Sequence, residues 1–177
     1  MRAFTAVDIE DAEILNELQK LQKELDFGFN LVSPEKMHIT LQFFRDIDEE
    51  EAEQIIKAMK KTDTRPFSLN VHGAGVFPSK DYIRVVWAGI ESDEIHALKQ
   101  QVSRHDVDPD NNHEFRPHIT LARVDRISRT EKQDFRKKLE EIKDKKIGEL
   151  EVNSVKLFES IHTGNSTEYR QLKEVKL

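Results

Sequence analysis

The sequence predicts an α+β protein of two pseudo-symmetric lobes, each an antiparallel sheet with helices on its outer face, and a cleft between them. Three observations predict it. The tetrapeptide His38-Ile39-Thr40-Leu41 recurs as His118-Ile119-Thr120-Leu121, 80 residues later. Residues on both sides of it recur at a spacing of 81: Ile9-Glu10 as Ile90-Glu91, Leu69-Asn70-Val71 as Leu150-Glu151-Val152, and Phe77-Pro78-Ser79 as Phe158-Glu159-Ser160. Both halves also run through the same order of strand and helix patterns. Such a spacing is too long for a solenoid and fits two copies of a half-domain. The chain therefore reads as one bilobal domain over 1–177, duplicated internally at roughly 1–81 and 82–177.

Taken in order, Arg2 to Val7 reads as a strand, and Ile83 to Trp87 is its β-branched and aromatic counterpart. A helix follows each. Ile14, Leu18, Leu21 and Leu25 lie at helical spacing after Asp8 or Asp11 as cap, and Ile95, Leu98 and Val102 follow Ser92. The two His-Ile-Thr-Leu strands come next, introduced by Ser33-Pro34 and Arg116-Pro117. Second helices start at Asp48, with acids in the first turn, and at Ser128, with Glu131 placed for a capping box. Closing strands run over Phe67 to Val71 and Leu150 to Val155, each leading to a further one. Pro78 to Asp81 and His105 to Glu114 read as turns or loops.

With 177 residues, one good core or two small lobes fit and more than two domains do not. No apolar run reaches the ~20 residues of a membrane span, and the first residues lack a signal-peptide core, so the expected location is the cytoplasm. The absence of cysteine excludes disulfides, thiolate metal sites and a Cys nucleophile. Charged residues make up 35% of the chain with a net charge of −6, which argues against tracking along long duplex nucleic acid. A small basic pocket for one phosphate remains compatible with that charge.

On a strand, residues two apart share a face, so His38 goes with Thr40 and His118 with Thr120, while the Ile and Leu positions turn to the core. Pseudo-twofold packing would bring two imidazoles and two hydroxyls into the cleft. That set suits phosphodiester chemistry. Hydroxyls hold phosphate oxygens, one neutral imidazole takes a proton from water, and the opposite imidazolium protonates the departing oxygen. Histidine populates both states near neutral pH. One such His-Thr pair alone would read as a hydrogen-bonded structural pair; the duplication favours chemistry. No His-Glu-x-x-His or comparable carboxylate spacing accompanies the histidines, so no metal site is expected.

With both motifs in their contexts, Met37-His38-Ile39-Thr40-Leu41-Gln42-Phe43-Phe44 and Phe115-Arg116-Pro117-His118-Ile119-Thr120-Leu121-Ala122-Arg123, the chain resembles the two-histidine phosphoesterase superfamily. Within it, the RNA 2′,3′-cyclic phosphodiesterase family, also called 2′,5′ RNA ligases, is the nearest resemblance. The likeness extends from Arg2-Ala3-Phe4-Thr5-Ala6-Val7-Asp8 to Leu157-Phe158-Glu159-Ser160. It implies hydrolysis of a terminal 2′,3′-cyclic phosphate to a 2′-phosphomonoester without metal or other cofactor. It further implies His38 as proton donor, His118 as proton acceptor, and Thr40 and Thr120 as phosphate ligands. The substrates it implies are RNA ends, tRNA-derived ones among them, or small cyclic nucleotides; pseudo-symmetry within one chain makes a monomer sufficient for a complete site, and the lack of long apolar runs leads to no expected membrane partner. The resemblance also implies a 2′,5′ ligation of RNA ends by the same groups. The symmetric motifs do not themselves say which ring is acid.

Further candidates are Arg116, which would share the face of His118 if extended, and Arg123, which faces away from it on an ideal strand and needs a bulge to reach the cleft. Phe43 and Phe44 are assigned to the core rather than to base stacking; Trp87 and Tyr82 allow either reading. The unrepeated His72, His96, His105, His113 and His162 read as surface or loop residues. The competing functional reading is a noncatalytic protein that binds nucleotides or RNA ends, and a zinc hydrolase is a third.

Overall fold

The computed structural model describes residues 1–104 and 114–177. Its elements follow the predicted order: β1 (Ala3–Asp8), α1 (Ala12–Glu24), β2 (Asn30–Leu31), a 3-10 turn (Pro34–Lys36), β3 (His38–Phe44), α2 (Glu49–Lys60), β4 (Phe67–Pro78), β5 (Ile83–Glu91), α3 (Asp93–Val102), β6 (His118–Arg123), α4 (Arg129–Ile142), β7 (Lys146–Val152), β8 (Ser154–Thr163) and β9 (Ser166–Lys176). Helix starts coincide with the cap grammar. Asp11 accepts from the Ile14 amide and Ser92 from the Ile95 amide, while Asp48 with Glu51 and Ser128 with Glu131 form complete capping boxes. Each helix buries one stripe: Ile14, Leu18 and Leu21 on α1, Ile55 and Met59 on α2, Ile95 and Leu98 on α3, Phe135 and Leu139 on α4.

The fold is α+β, and its pairings are antiparallel throughout, in the order β7-β4-β5-β6-β3-β1-β8-β9, with β2 on the rest of β6. Two four-stranded groups, β7-β4-β5-β6 and β3-β1-β8-β9, meet at a single residue pair, Ile39 opposite Ile119. The groups interleave in sequence. Strand β4, early in the chain, lies with β5 to β7, whereas the last two strands pair onto β1. Helix α1 likewise crosses over to pack on β6 and β7. The expected closing strand from Leu150 to Val155 is two strands that break at Asn153.

Ile39 and Ile119 are fully buried, and the core runs from them through Leu18, Leu21, Ile55, Val86, Ile95, Leu98, Phe135 and Leu157 beneath the helices. The opposite face of the two strand groups carries the histidines. Among the described residues, no helix is long and apolar enough to cross a membrane.

Candidate active site

The Ile39–Ile119 pair sets the site. Counting outward along antiparallel strands from it, His38 stands across from Thr120, and Thr40 across from His118. Each imidazole thus stands at the register position facing the threonine of the other motif. All four side chains are partly buried, while Ile39, Leu41, Ile119 and Leu121 are buried on the core side.

Both rings are anchored in the same way. His38 Nδ1 lies 2.8 Å from the carbonyl oxygen of Lys36, and His118 Nδ1 lies 2.7 Å from that of Arg116. A carbonyl only accepts, so each Nδ1 donates its hydrogen there and the titrating nitrogen of each ring is Nε2. Around His38 pack Phe4, stacked at 4.8 Å, and the Tyr169 ring, edge-on at 5.4 Å. Around His118 pack Phe77, edge-on at 4.9 Å, and Trp87 at 6.1 Å.

These aromatic walls shape the titration. Burial lowers the pKa of His38 below its ordinary 6.5; the Lys36 carbonyl and Asp8 work against that, while His118 and Arg123 add to it. Burial lowers His118 as well, opposed by the Arg116 carbonyl. Both rings are therefore held toward the neutral form in the free protein.

Both motif strands carry an irregularity that alternation does not foresee. In the β1–β3 ladder the register passes from Thr5–Gln42 to Ala6–Thr40, skipping Leu41, and in the β5–β6 ladder from Val86–Ala122 to Trp87–Thr120, skipping Leu121. A bulge of one residue flips the parity of every later position on its strand. Phe43 and Arg123 consequently join the face of His38, Thr40, His118 and Thr120. The burial pattern agrees: Phe43 is 55% exposed and Arg123 is exposed, while Phe44, at 1%, is core. Arg123 is also close enough to His38 to affect its charge. The Leu121 bulge has a visible clamp, since buried Gln22 of α1 donates from Nε2 to both Leu121 O (2.8 Å) and Val32 O (2.7 Å), and Val32 N bonds Leu121 O at 2.9 Å.

The expectation that Phe43 belongs to the core is thus corrected by the bulge, and that of Phe44 is met. Arg116 stands before β6 rather than on it, and its exposed guanidinium is bonded to Glu114 (Nε 3.1 Å, Nη2 2.8 Å), so what it contributes to His118 is its carbonyl. Trp87 lines the site, whereas Tyr82 is 56% exposed at the β4–β5 turn with the Arg84 guanidinium over its ring. His96 stands on α3 against the Phe115 ring and His162 on β8 bonded to Arg2 and Thr167, whereas His72 of β4 lies across Gly89 from His118, 3.9 Å from Glu91. His105 and His113 lie outside the described residues, as does the loop expected between them. Among the described residues no three His, Asp or Glu side chains converge as a metal site.

Sequence reasoning does not single out Asp8, Phe4, Lys156 or Tyr169 as neighbours of the site. Asp8 lies opposite His38 in the β1–β3 ladder, and Lys156 pairs Ala6 from β8. Only the ladder brings them together, so no local sequence signal marks them.

Comparison with known proteins places this arrangement. The sequence profile of the LigT like Phosphoesterase family matches twice, over residues 7–87 and 90–168. The chain is 30% identical over 177 residues to the RNA 2′,3′-cyclic phosphodiesterase of Methanocaldococcus jannaschii, covering 98% of this chain and 99% of that one. It is 33% identical over 184 residues to the protein of the same name from Archaeoglobus fulgidus, covering 98% of each. In fold it is similar to TT0787 of Thermus thermophilus, with a TM-score of 0.83, 24% identity and coverage of 100% and 98%. The apo form of Escherichia coli LigT gives 0.78 at 22% identity, with coverage of 99% and 96%. The double profile match and the full-length relatives establish that this chain is a member of the LigT-like phosphoesterase family.

Proposed function

We propose that the protein hydrolyses 2′,3′-cyclic phosphate ends of RNA to 2′-phosphomonoesters, with the two histidines as its acid and base and no metal. The observation that carries this reading is the pair of rings with both Nδ1 atoms bonded to carbonyls and both Nε2 atoms left for proton transfer, each beside the other motif's threonine. The names of the full-length relatives supply the substrate class.

In the reaction, Thr40 and Thr120 hydroxyls donate to phosphate oxygens and hold phosphorus between the rings. His118 Nε2 takes a proton from a water whose oxygen attacks phosphorus. The bond from phosphorus to the 3′ oxygen breaks, and imidazolium His38 gives that oxygen its proton. The phosphate stays on the 2′ oxygen. Arg123, on the same face through its bulge, offsets the phosphate charge, and Phe43 offers an exposed ring to a terminal base. The acid and base assignment follows the family resemblance. With a 5′-hydroxyl end replacing water as the nucleophile, the same groups in the same roles would form a 2′,5′ linkage.

The same reading includes an internal duplication, roughly 1–81 and 82–177, supported by the two profile matches and by the shared bulge and anchor of each motif. One copy of the chain supplies both motifs, so a monomer suffices, and the cytoplasm is where its RNA ends would be met.

The test is turnover of a short RNA ending in a 2′,3′-cyclic phosphate, with EDTA present, by the unmodified protein, His38→Ala and His118→Ala. A 2′-phosphate product from the unmodified protein and loss of most of the rate in both folded variants are expected. Binding of the RNA without cleavage would replace this reading by a noncatalytic one, and loss of activity in EDTA by a metal-dependent one.

A further inference from the structure

Among the charged groups around the two rings, one set has no counterpart across the pseudo-twofold. Asp8 lies directly opposite His38 in the β1–β3 ladder, on the same face, and Gly89 takes the equivalent place opposite His118. Asp8 is itself held: its Oδ2 is 3.1 Å from Nζ of Lys156, which also bonds Glu10. The Lys156 side chain is 6% exposed.

We infer that Asp8, clamped by Lys156, is a positioning residue that sets how firmly His38 holds its proton and so makes His38, rather than His118, the acid. The inference deepens the proposed function and rests on it for its catalytic meaning.

A lysine at this place needs a reason. Its position on β8 faces Ala6, and the equivalent position of the other strand group, opposite Trp87, is Gly75. Taking an ammonium out of water is costly unless it is paired, and an apolar side chain would fill the place without that cost. Burial opposes the charge on Lys156, but the hydrogen bonds to Glu10 and Asp8 outweigh it and raise its pKa above the ordinary lysine value. The Asp8 side chain, held in place by Lys156, stands beside His38 and favours the imidazolium. Lys156 limits that pull, so the ring can release the proton during turnover.

The other charged groups do not supply this asymmetry. From β6, His118 and Arg123 face His38 and both oppose its charge; from β9, Tyr169 presents a ring edge. On its far side Asp8 lines a cavity of about 330 Å³ with Glu10, Asp11, Glu149, Glu151 and Lys176. That surrounding is mainly acidic, which leaves Lys156 as the cation bonded to the Asp8 carboxylate among the described residues.

The inference is tested by NMR titration of the His38 and His118 ring protons in the ligand-free protein, for the unmodified chain, Asp8→Asn, Lys156→Met and the double variant. Removing the carboxylate should lower the His38 midpoint by about half a pH unit or more, and removing the ammonium should raise it. The double variant should fall between them, with His118 moving less in each case. The alkaline limb of kcat/KM for the cyclic phosphate should move in the same directions, because that limb reports loss of the acid's proton. A purely structural ion pair would change folding stability and leave both midpoints in place.

An unmoved His38 midpoint in Asp8→Asn overturns the inference even if Lys156→Met does not fold, and so do equal shifts of His118. If the unmodified protein cleaves no RNA while the midpoints shift as stated, the proposed reaction fails and the proton-tuning role of Asp8 stands.

Discussion

The wall beside His38 and the wall beside His118 share one backbone frame and differ in what fills it. Along the first, Lys156, Ala6 and Asp8 occupy the places that Gly75, Trp87 and Gly89 occupy along the second. One side is an ion pair reaching past a small residue. The other is a broad indole lying against two glycines: a Cβ on Gly75 would come within 2.2 Å of the Trp87 ring, and one on Gly89 within 3.5 Å of it. A symmetric scaffold can therefore present two like rings to the same pair of hydroxyls and still give them different surroundings. What differs is the ion pair beside His38 and the indole beside His118, since both rings carry aromatic neighbours.

The comparison breaks most completely if either ring is removed. His38→Ala and His118→Ala should each lose about 10²- to 10⁴-fold in kcat against the cyclic phosphate, the usual worth of one general acid or base. Single-turnover rates measure it. Equal losses would mean that the two positions are catalytically matched despite their different walls, and retention of rate by either variant would remove that ring from the mechanism.

A smaller effect is expected from filling the second wall. In Gly75→Val the new side chain collides with the Trp87 indole, which is packed against Phe77 and stands 6.1 Å from His118. Overpacking of this kind costs about 1–3 kcal/mol, so denaturant unfolding should show a loss of that size. The displaced indole should also lower kcat. Substitution of Ala6 by Gly, on the other wall, should leave kcat nearly unchanged, and an equal loss there would contradict the difference drawn between the walls.

The bulges offer a sharper contrast, since they set Phe43 on one motif strand where the other has Arg123. Phe43→Ala should weaken RNA binding by about 1–3 kcal/mol if a base stacks on it, seen as a raised KM with kcat little changed. Arg123→Met should instead lower kcat/KM for RNA and for a small cyclic nucleotide alike, as expected if Arg123 acts on the phosphate. If Phe43→Ala affects both substrates equally, it is not a base platform for the RNA end.

The smallest effect is on stability. Both rings have folded pKa values lowered chiefly by burial, so each contributes stability above the unfolded value near 6.5 that is lost as pH falls through the folded value. Thermal unfolding should accordingly show a midpoint that drops as pH falls below about 6.5. The drop should shrink in His38→Gln and in His118→Gln. An undiminished drop in both would assign the acid sensitivity to other groups.

Much of this is legible from local patterns. Caps at Asp11, Asp48, Ser92 and Ser128 are short-range hydrogen bonds between neighbours in sequence, and the stripes on the four helices follow a fixed period, so both can be read before any tertiary contact is known. The two histidines with their threonines stand out because they recur. The bulges at Leu41 and Leu121 cannot be read in this way. At Leu121 the carbonyl is claimed by Gln22, 99 residues away, and that single bond belongs to the packing of α1 across the sheet. Every alternation-based assignment beyond a bulge inherits its parity error, which is why alternation puts Phe43 in the core and Arg123 away from the cleft. Asp8 and Lys156, 148 residues apart, meet only because β8 returns to pair with β1.

The carbonyl anchors on Nδ1 have a consequence for the catalytic cycle as a whole. With each ring tethered at one nitrogen, a ring cannot turn over to present a fresh face, and on the proposed chemistry the molecule finishes each turnover with its proton on the opposite side from where it began. That finishing state is the starting state of the reverse step, reclosure of the 2′-phosphate to the cyclic form with loss of water. Hydrolysis can repeat only after a proton has been handed back through the open Nε2 edges, by way of solvent or buffer. Recharging is then a separate event, and a dependence of kcat on buffer concentration at fixed pH would expose it. How long the new 2′-phosphate end lingers before that reset decides how often a turnover runs back to the cyclic phosphate.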